Sequence, residues 1–368
     1  MSADGPSDSS AFSARRARLR GRLQEKRLPF LVVSNPVSIF YLTGFRGSAG
    51  VAILGGRGEE LLWVDPRYTL QARKEAIGLK VVEVRQGLLK AAGAWLEKKR
   101  AVRAGCEESH LTWAALKGLR SACQKVSFKP CARLIEELRS VKDAGEVELI
   151  RRAAKITSAA LADVRPLVRP GTREMDLAAE IEYCMRRRGA EGAAFETIVA
   201  SGARSAWAHA RPTSNLLKKR DLVILDLGAI LRGYAADMTR TLYLGRPSPH
   251  LRRLYSAVKD AQAQAIGALR AGVLAGEIDQ TARRVLNRYG VGKYFTHSTG
   301  HGVGLETHER PRLGRGERQQ LEAGCVVTVE PGVYVQRLGG IRIEDTVLVA
   351  PDGPEMLTES PKDDWIVP

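Results

Sequence analysis

The chain has 368 residues, 44% of them hydrophobic and 27% charged, a globular composition that excludes a wholly disordered, fibrous or collagen-like polypeptide. Its length sets an expectation of two domains or one large one, and no run of about 18 uncharged apolar residues is present to span a membrane. The net charge of +17 would mark a nucleic-acid partner only with a recognition motif, and no helix-turn-helix, zinc-finger or aromatic RNA-binding signature accompanies it.

In chain order, Met1 to Ser13 is polar, with Gly5 and Pro6 and no apolar run behind the arginines, so no cleavable secretory signal is expected. Residues 1–14 are assigned as a disordered tail. The basic excess lies early: residues 1–140 carry 25 Lys and Arg against 13 Asp and Glu. It is densest at Arg15, Arg16, Arg18, Arg20, Arg22, Lys26 and Arg27, read here as a solvated helix face rather than a binding stripe. Phe30–Val33, Val51–Leu54, Leu61–Val64, Leu79–Val84 and Val102–Ala104 have the short apolar pattern of buried strands. Tyr68–Ala76 and Leu88–Lys98 between them have helical character. This alternation predicts a small α/β domain over residues 15–135.

A charged helical stretch, Leu134–Arg152, leads into a second domain assigned to residues 136–368. Ile150, Ala153, Ala154, Ile156, Ala160 and Leu161 recur at helical spacing until Pro166 and Pro170-Gly171, and a helix follows over Asp176–Arg187. A similar order returns with Leu254, Val258, Ala261, Ala265 and Leu269, then Gly272, then Asp279–Arg288. Strand-like blocks follow each helix pair. An α+β domain of two related halves is expected. The five cysteines, Cys106, Cys123, Cys131, Cys184 and Cys325, form no CxxC pair, which predicts reduced thiols in a cytoplasmic protein.

The chemistry-bearing residues lie between His209 and Glu344. The apolar run Leu222–Leu225 ends in Asp226, and Asp237 stands in the next strand, beyond Leu231-Arg232-Gly233. A turn centred on Leu231-Arg232 would make the two aspartates opposite partners, with Cβ atoms about 4.5–5.5 Å apart. Downstream, Val326–Val329 ends in Glu330. Ile341-Arg342-Ile343-Glu344 lies beyond a turn at Leu338-Gly339-Gly340, with Arg342 and Glu344 on one face. Between the hairpins runs the glycine-rich segment Gly300–Glu309, holding His301 and His308.

Each residue alone has a bland explanation, as a turn former or a hydrogen-bonded histidine. The combination does not, because carboxylates clustered without counter-charge repel one another and cost several kcal/mol each when buried. Four carboxylates balance two divalent cations. Oxygen ligands with one imidazole suit Mn²⁺, Fe²⁺, Co²⁺ or Zn²⁺, which predicts a paired-metal hydrolase.

The segments Asp226-Leu227-Gly228, Ala236–Thr241, Gly300–Glu309, Glu330–Tyr334 and Ile341–Thr346 closely resemble the pita-bread metallopeptidases, in the Xaa-Pro aminopeptidase and prolidase branch. Tyr41–Phe45 and Asp65–Thr69 resemble the creatinase-type N-terminal domain of that branch, and Leu138–Lys142 resembles its linker. The resemblance covers nearly the whole chain from about residue 15. It implies an α/β N-terminal domain followed by an α+β pita-bread domain with two pseudo-symmetric halves.

Carried over position by position, the resemblance implies metal ligands Asp226, Asp237, His301, Glu330 and Glu344, spaced by 11, 64, 29 and 14 residues. Asp237 and Glu344 would bridge two divalent ions, with Mn²⁺ placed first and Co²⁺, Zn²⁺ or Fe²⁺ as alternatives. A water between the ions would be activated near neutral pH, and Glu330 would also shuttle its proton. His308 would stabilise the tetrahedral intermediate, His209 would face the substrate and Arg342 would support the carboxylates from behind. The family often has proline where Ala208 stands. His297 and Glu306 are given structural roles, and His110 and His250 surface positions. The implied activity is cleavage of the bond before proline, with the aminopeptidase placed ahead of the dipeptidase. The implied partners are proline-containing peptides or dipeptides and a second copy of the chain, with no membrane and no specific nucleic acid. The alternative is a basic binding module on the same fold without catalysis. The presence of all five ligand types argues against it.

Overall fold

The computed structural model describes residues 9–367. The chain divides between Arg139 and Ser140 into two compact units, four residues beyond the expected boundary. Five free cysteines and no helix long and apolar enough to cross a membrane are found among the described residues.

The first unit opens with the helix Ser9–Glu25, which corrects the expected tail from Ser9 onward; residues 1–8 lie outside the described residues. Leu19 and Leu23 on this helix are fully buried, and Arg15 and Arg16 are, unexpectedly, buried as well. Burying a guanidinium is tolerated only where its donors find acceptors. Arg15 donates to the Tyr41 carbonyl at 3.1 Å and stacks over the Tyr41 ring, while Arg16 donates to the Leu42 carbonyl at 2.9 Å and to Glu60 at 2.8 Å. Arg20 also pairs with Glu60, and Arg18 donates to the Leu138 carbonyl. The basic stretch is therefore solvated only in part: Arg18, Arg22, Lys26 and Arg27 are exposed, whereas Arg15 and Arg16 are buried. Arg15, Arg16, Arg18 and Arg20 tie the helix to its own domain.

That helix covers a six-stranded mixed sheet, in spatial order Lys80–Glu83, Glu60–Val64, Val51–Gly55, Phe30–Val33, Arg103–Glu107 and Ser127–Cys131. The core holds Val32, Ile53, Trp63, Leu96 and Leu119, and the helix Leu88–Lys98 spans the residues expected of it. The helices Pro36–Thr43 and Trp113–Ser121 were not anticipated; Asn35 and Thr112 cap their N-termini.

The expected charged stretch is two helices, Leu134–Ser140 at the end of the first unit and Ala144–Val164 in the second. The break follows from a capping box: Asp143 accepts from the Glu146 N–H at 2.9 Å, and Glu146 accepts from the Asp143 N–H at 3.0 Å. Ala144–Val164 and Glu174–Arg187 bury Leu161, Val164, Leu177, Ile181 and Met185 against Val199, Val223, Leu225 and Leu227. Pro249–Gly267 and Ala275–Arg288 repeat the arrangement, with Leu254, Val258, Ala282 and Val285 against Val327, Val329, Val347 and Val349. Each half is thus a helix pair on a sheet. The first sheet has the order Ile366–Val367, Met238–Leu244, Leu222–Leu227, Ile198–Ser201, and the second the order Glu309–Leu313, Gly300–Gly302, Val326–Val329, Asp345–Ala350, Gly353–Met356.

Two hairpin registers differ from expectation. Leu231 pairs with Tyr234, so the first turn is Arg232-Gly233, with φ of 49° and 84°. Both turn residues have positive φ, as a two-residue hairpin with right-handed strand twist requires. Asp226 consequently faces Thr239, not Asp237. The second hairpin closes through residues 336–338, because Val335 pairs with Gly339.

Candidate metal centre

All five expected ligand positions fall in one place: Asp226 and His301 within strands, and Asp237, Glu330 and Glu344 just beyond strand ends. Asp237 stands between the strand pieces Tyr234–Ala235 and Met238–Leu244, on the chain opposite Gly228. A Cβ on Gly228 would lie 2.0 Å from the Ala236 carbonyl oxygen, so only glycine allows this approach. Glu330 and Glu344 occupy matching kinks in the second hairpin, where Val329 pairs with Asp345 on one side and Gly332 with Arg342 on the other. Thr241 joins the hairpins, donating to the Arg342 carbonyl at 2.8 Å and accepting from its N–H at 3.0 Å. The Glu344 N–H donates to the Thr239 carbonyl at 3.1 Å.

Asp237, His301 and Glu344 each bring a ligand atom within 4.8 Å of the others, the one such group among the described residues. His301 Nε2 lies 3.4 Å from Glu330 Oε1 and 3.8 Å from Asp237 Oδ2. His301 Nδ1 is 3.0 Å from the Gly302 carbonyl, which can only accept, so the ring proton belongs on Nδ1 and the Nε2 lone pair faces the carboxylates. Asp226, Asp237 and Glu344 are buried. Asp226 Oδ1 and Asp237 Oδ1 have no hydrogen-bond partner, although almost every buried polar atom in a folded protein has one.

The electrostatics are those of a site short of positive charge. Burial, then the Glu344 and Asp226 charges, push the Asp237 carboxyl well above its ordinary range. Burial, then Glu330 and Asp226, do the same to Glu344. Glu330 is pushed up to about 8 by burial, against the opposing pull of Arg342. Burial and the neighbouring His308 lower His301 to about 4, leaving a neutral imidazole. Unpartnered oxygens, crowded carboxylates and an aimed neutral imidazole are what hard or borderline divalent cations require, so the residues present fit such ions.

Thr239, Thr328 and Tyr334 help to hold this set and were given no role from the sequence, whereas Arg342 and His297 were. Thr239 donates to Glu344 Oε2 at 2.6 Å and accepts from Arg342 Nε at 3.1 Å. Thr328 accepts from the His301 N–H at 3.1 Å. Arg342 sits at 2.6 Å from Asp226 Oδ2 and donates to the Tyr334 hydroxyl at 2.7 Å. His297, whose imidazole burial lowers to about 4, lies 2.9 Å from the same hydroxyl. Period-2 spacing from Asp237 and Glu330 would have flagged Thr239 and Thr328. Tyr334 shares that spacing from Glu330, but Pro331 interrupts the strand between them.

His308 and His209 lie on the open side and take no part in the ligand group; both are exposed, as are His110 and His250. The His308 ring centroid is 4.3 Å from that of His301, and partial burial with the neighbouring His209 lowers its pKa. The His209 loop is tied to the second hairpin, since Arg342 Nη1 donates to the Ala208 carbonyl at 3.0 Å. Glu309 clamps the loop before it, accepting from the Glu306 N–H at 3.0 Å and pairing with buried Lys142 at 3.3 Å. A cleft of about 440 Å³ includes His308 in its wall, with Phe195, Ile230, Ala235 and Leu305 on its apolar side and Glu306 and Thr307 beside the histidine.

Comparison with known proteins places these features in a family. Residues 148–351 match metallopeptidase family M24, and residues 15–141 match the creatinase/prolidase N-terminal domain. The Xaa-Pro dipeptidase of Pyrococcus furiosus is 36% identical over 341 residues, 93% of this chain and 96% of that protein. The solved Xaa-Pro dipeptidase from Bacillus anthracis is 35% identical, covers 97% of this chain and 100% of its own, and superposes with a TM-score of 0.94. The X-Pro aminopeptidase from Thermotoga maritima is 34% identical, with 96% and 99% coverage and a TM-score of 0.88.

Proposed function

This chain belongs to metallopeptidase family M24, a pita-bread enzyme with a creatinase-type N-terminal domain, and from that premise we propose that it hydrolyses Xaa-Pro bonds, with free dipeptides as its main substrates. The observation that carries the reading is the group of Asp237, His301 and Glu344, with unpartnered aspartate oxygens beside it. Asp226, Asp237, His301, Glu330 and Glu344 would together hold two divalent ions, Mn²⁺ first among them. Such ions supply Lewis-acid polarisation of the scissile carbonyl and acidify water.

The remaining work falls to side chains. An Xaa-Pro bond has no N–H, and its leaving group is a secondary amine that must be protonated as it departs. Glu330 Oε1, 3.4 Å from His301 Nε2 at the edge of the cluster, is placed to take a proton and return it to the proline nitrogen. Neutral His308, beside the cluster but outside it, donates to the oxygen that develops negative charge. His209 on the same open side contacts the substrate. The cleft beside His308 receives the side chain of the residue before proline, against Phe195, Ile230 and Leu305.

The relatives above include two Xaa-Pro dipeptidases and one X-Pro aminopeptidase, and the dipeptidase is placed first here, ahead of the aminopeptidase. The likeness to the Thermotoga maritima enzyme supports the second reading, trimming of longer peptides. The free thiols agree with a reducing cytoplasm. Assay of the Mn²⁺-loaded protein on Leu-Pro, a Leu-Pro-initiated tetrapeptide and Leu-Ala tests these choices. Leu-Pro is expected to exceed the tetrapeptide at least about tenfold in kcat/KM and Leu-Ala by more, about 1.4 kcal/mol per decade. Equal rates on Leu-Pro and Leu-Ala would remove the proline assignment, and a faster tetrapeptide would restore the aminopeptidase.

A further inference from the structure

Glu174 is fully buried in the first turn of its helix and lies outside the metal cluster. Its carboxylate accepts from the Ser201 N–H at 2.9 Å, Ser201 Oγ at 2.8 Å, the Thr213 N–H at 3.0 Å and Thr213 Oγ1 at 2.8 Å. Arg204 Nε at 3.3 Å and Asn215 Nδ2 at 3.5 Å complete the set. Ser201 ends a strand and Thr213 follows the loop, so one carboxylate closes both ends of the segment that carries His209. Burial alone would raise this carboxyl, yet the hydrogen bonds from Thr213 and Ser201 hold it below its ordinary range.

The grip extends inward through Arg204. Its guanidinium pairs with Glu174, donates from Nη2 to the Arg211 carbonyl at 2.6 Å and stacks over the Trp207 ring at 5.1 Å. Trp207 and Arg211 flank His209 two residues away on either side. The middle of the loop is fixed separately, by Ser205 Oγ accepting from the Gly340 N–H at 2.8 Å and by Arg342 on Ala208.

We propose that Glu174 is a positioning residue which, through Arg204, sets the place of the His209 imidazole in the substrate cleft. The inference rests on the reading of His209 as a substrate contact. A carboxylate is required because every group facing Glu174 is a donor. Glutamine would turn an N–H₂ toward one of them and leave it unpaired.

The test uses Glu174→Gln and Arg204→Met, each in the wild-type and His209→Ala backgrounds of the full chain loaded with Mn²⁺. Arg204→Met is the second variant because Arg204 is on the loop and partly exposed, so it folds even where Glu174→Gln does not. Bound metal, thermal midpoint, kcat and KM on Leu-Pro are measured, together with the His209 imidazole NMR signal of the metal-free protein. The expected result is a shifted His209 signal and a roughly tenfold fall in kcat/KM with metal content unchanged, shrinking to about twofold or less when His209 is already alanine. An unshifted His209 signal in both variants, or an equal loss in both backgrounds, would overturn the proposal. If His209→Ala alone keeps wild-type kcat/KM, the substrate role of His209 falls, and the NMR signal by itself decides the positioning claim.

Discussion

Glu344→Gln is expected to lower kcat/KM by at least about 10³-fold, some 4 kcal/mol of transition-state stabilisation, and to reduce the bound metal by about one ion per chain. The argument is electrostatic. Glu344 is buried opposite Glu330, and burial with its acidic neighbours raises its pKa well above the carboxylate range. Such a group binds its proton more tightly folded than unfolded. Above its unfolded pKa, and so at neutral pH, it destabilises the metal-free fold. Removing it therefore has opposite consequences in the two states. Stripped of metal, the variant should melt higher than stripped wild type, by about 2–4 °C for each kcal/mol of repulsion relieved. Loaded with metal, it should melt lower, because the stabilisation from bound ions is reduced. Thermal midpoints of both proteins with and without Mn²⁺, alongside metal content and kcat/KM, check this. A variant destabilised equally with and without metal would assign Glu344 an ordinary packing role.

His308→Ala is expected to leave metal content unchanged while kcat falls about 10²–10³-fold, the range seen when one oxyanion donor is removed. The imidazole ring lies 4.3 Å from that of His301 but brings no atom into the ligand group. It stands on the open side, where a substrate carbonyl would approach. The loop holding it does not depend on the imidazole, since the Lys142–Glu309 pair and the Glu306 N–H to Glu309 bond fix the backbone. The thermal midpoint should accordingly change little. The competing assignment, a ring that merely packs the glycine-rich segment, predicts the reverse: a lower midpoint with near-normal kcat.

The legible part of this molecule is the part written in local pattern. Apolar runs gave the central strands of the first unit, and helical spacing gave both helix pairs of the second. The acid positions could be read because each ends or interrupts an apolar strand, and the imidazole because it stands in a glycine-rich segment. The pairing of those carboxylates could not. Asp226 faces Thr239 because the first turn falls on Arg232-Gly233, one residue later than expected, and a shift of one residue in the turn moves the register by two. Arg232 with positive φ gives no warning of this, since arginine rarely adopts that conformation. Likewise Arg15 and Arg16 look solvated in composition, and only tertiary carbonyls at Tyr41 and Leu42 explain their burial. Glu174 acts through partners distant in the chain, beyond the reach of any spacing rule.

The most direct measurement is a metal titration of the exhaustively chelated protein, reading bound Mn²⁺ by elemental analysis and Leu-Pro hydrolysis on the same samples. Carboxylates this crowded, with unpartnered oxygens at Asp226 and Asp237, need cationic charge to act together. The predicted result is no turnover without metal and activity that rises as Mn²⁺ is restored, reaching its plateau as occupancy approaches two ions per chain. Full Leu-Pro hydrolysis by protein verified to be metal-free would contradict the assignment of this cluster as the catalytic centre.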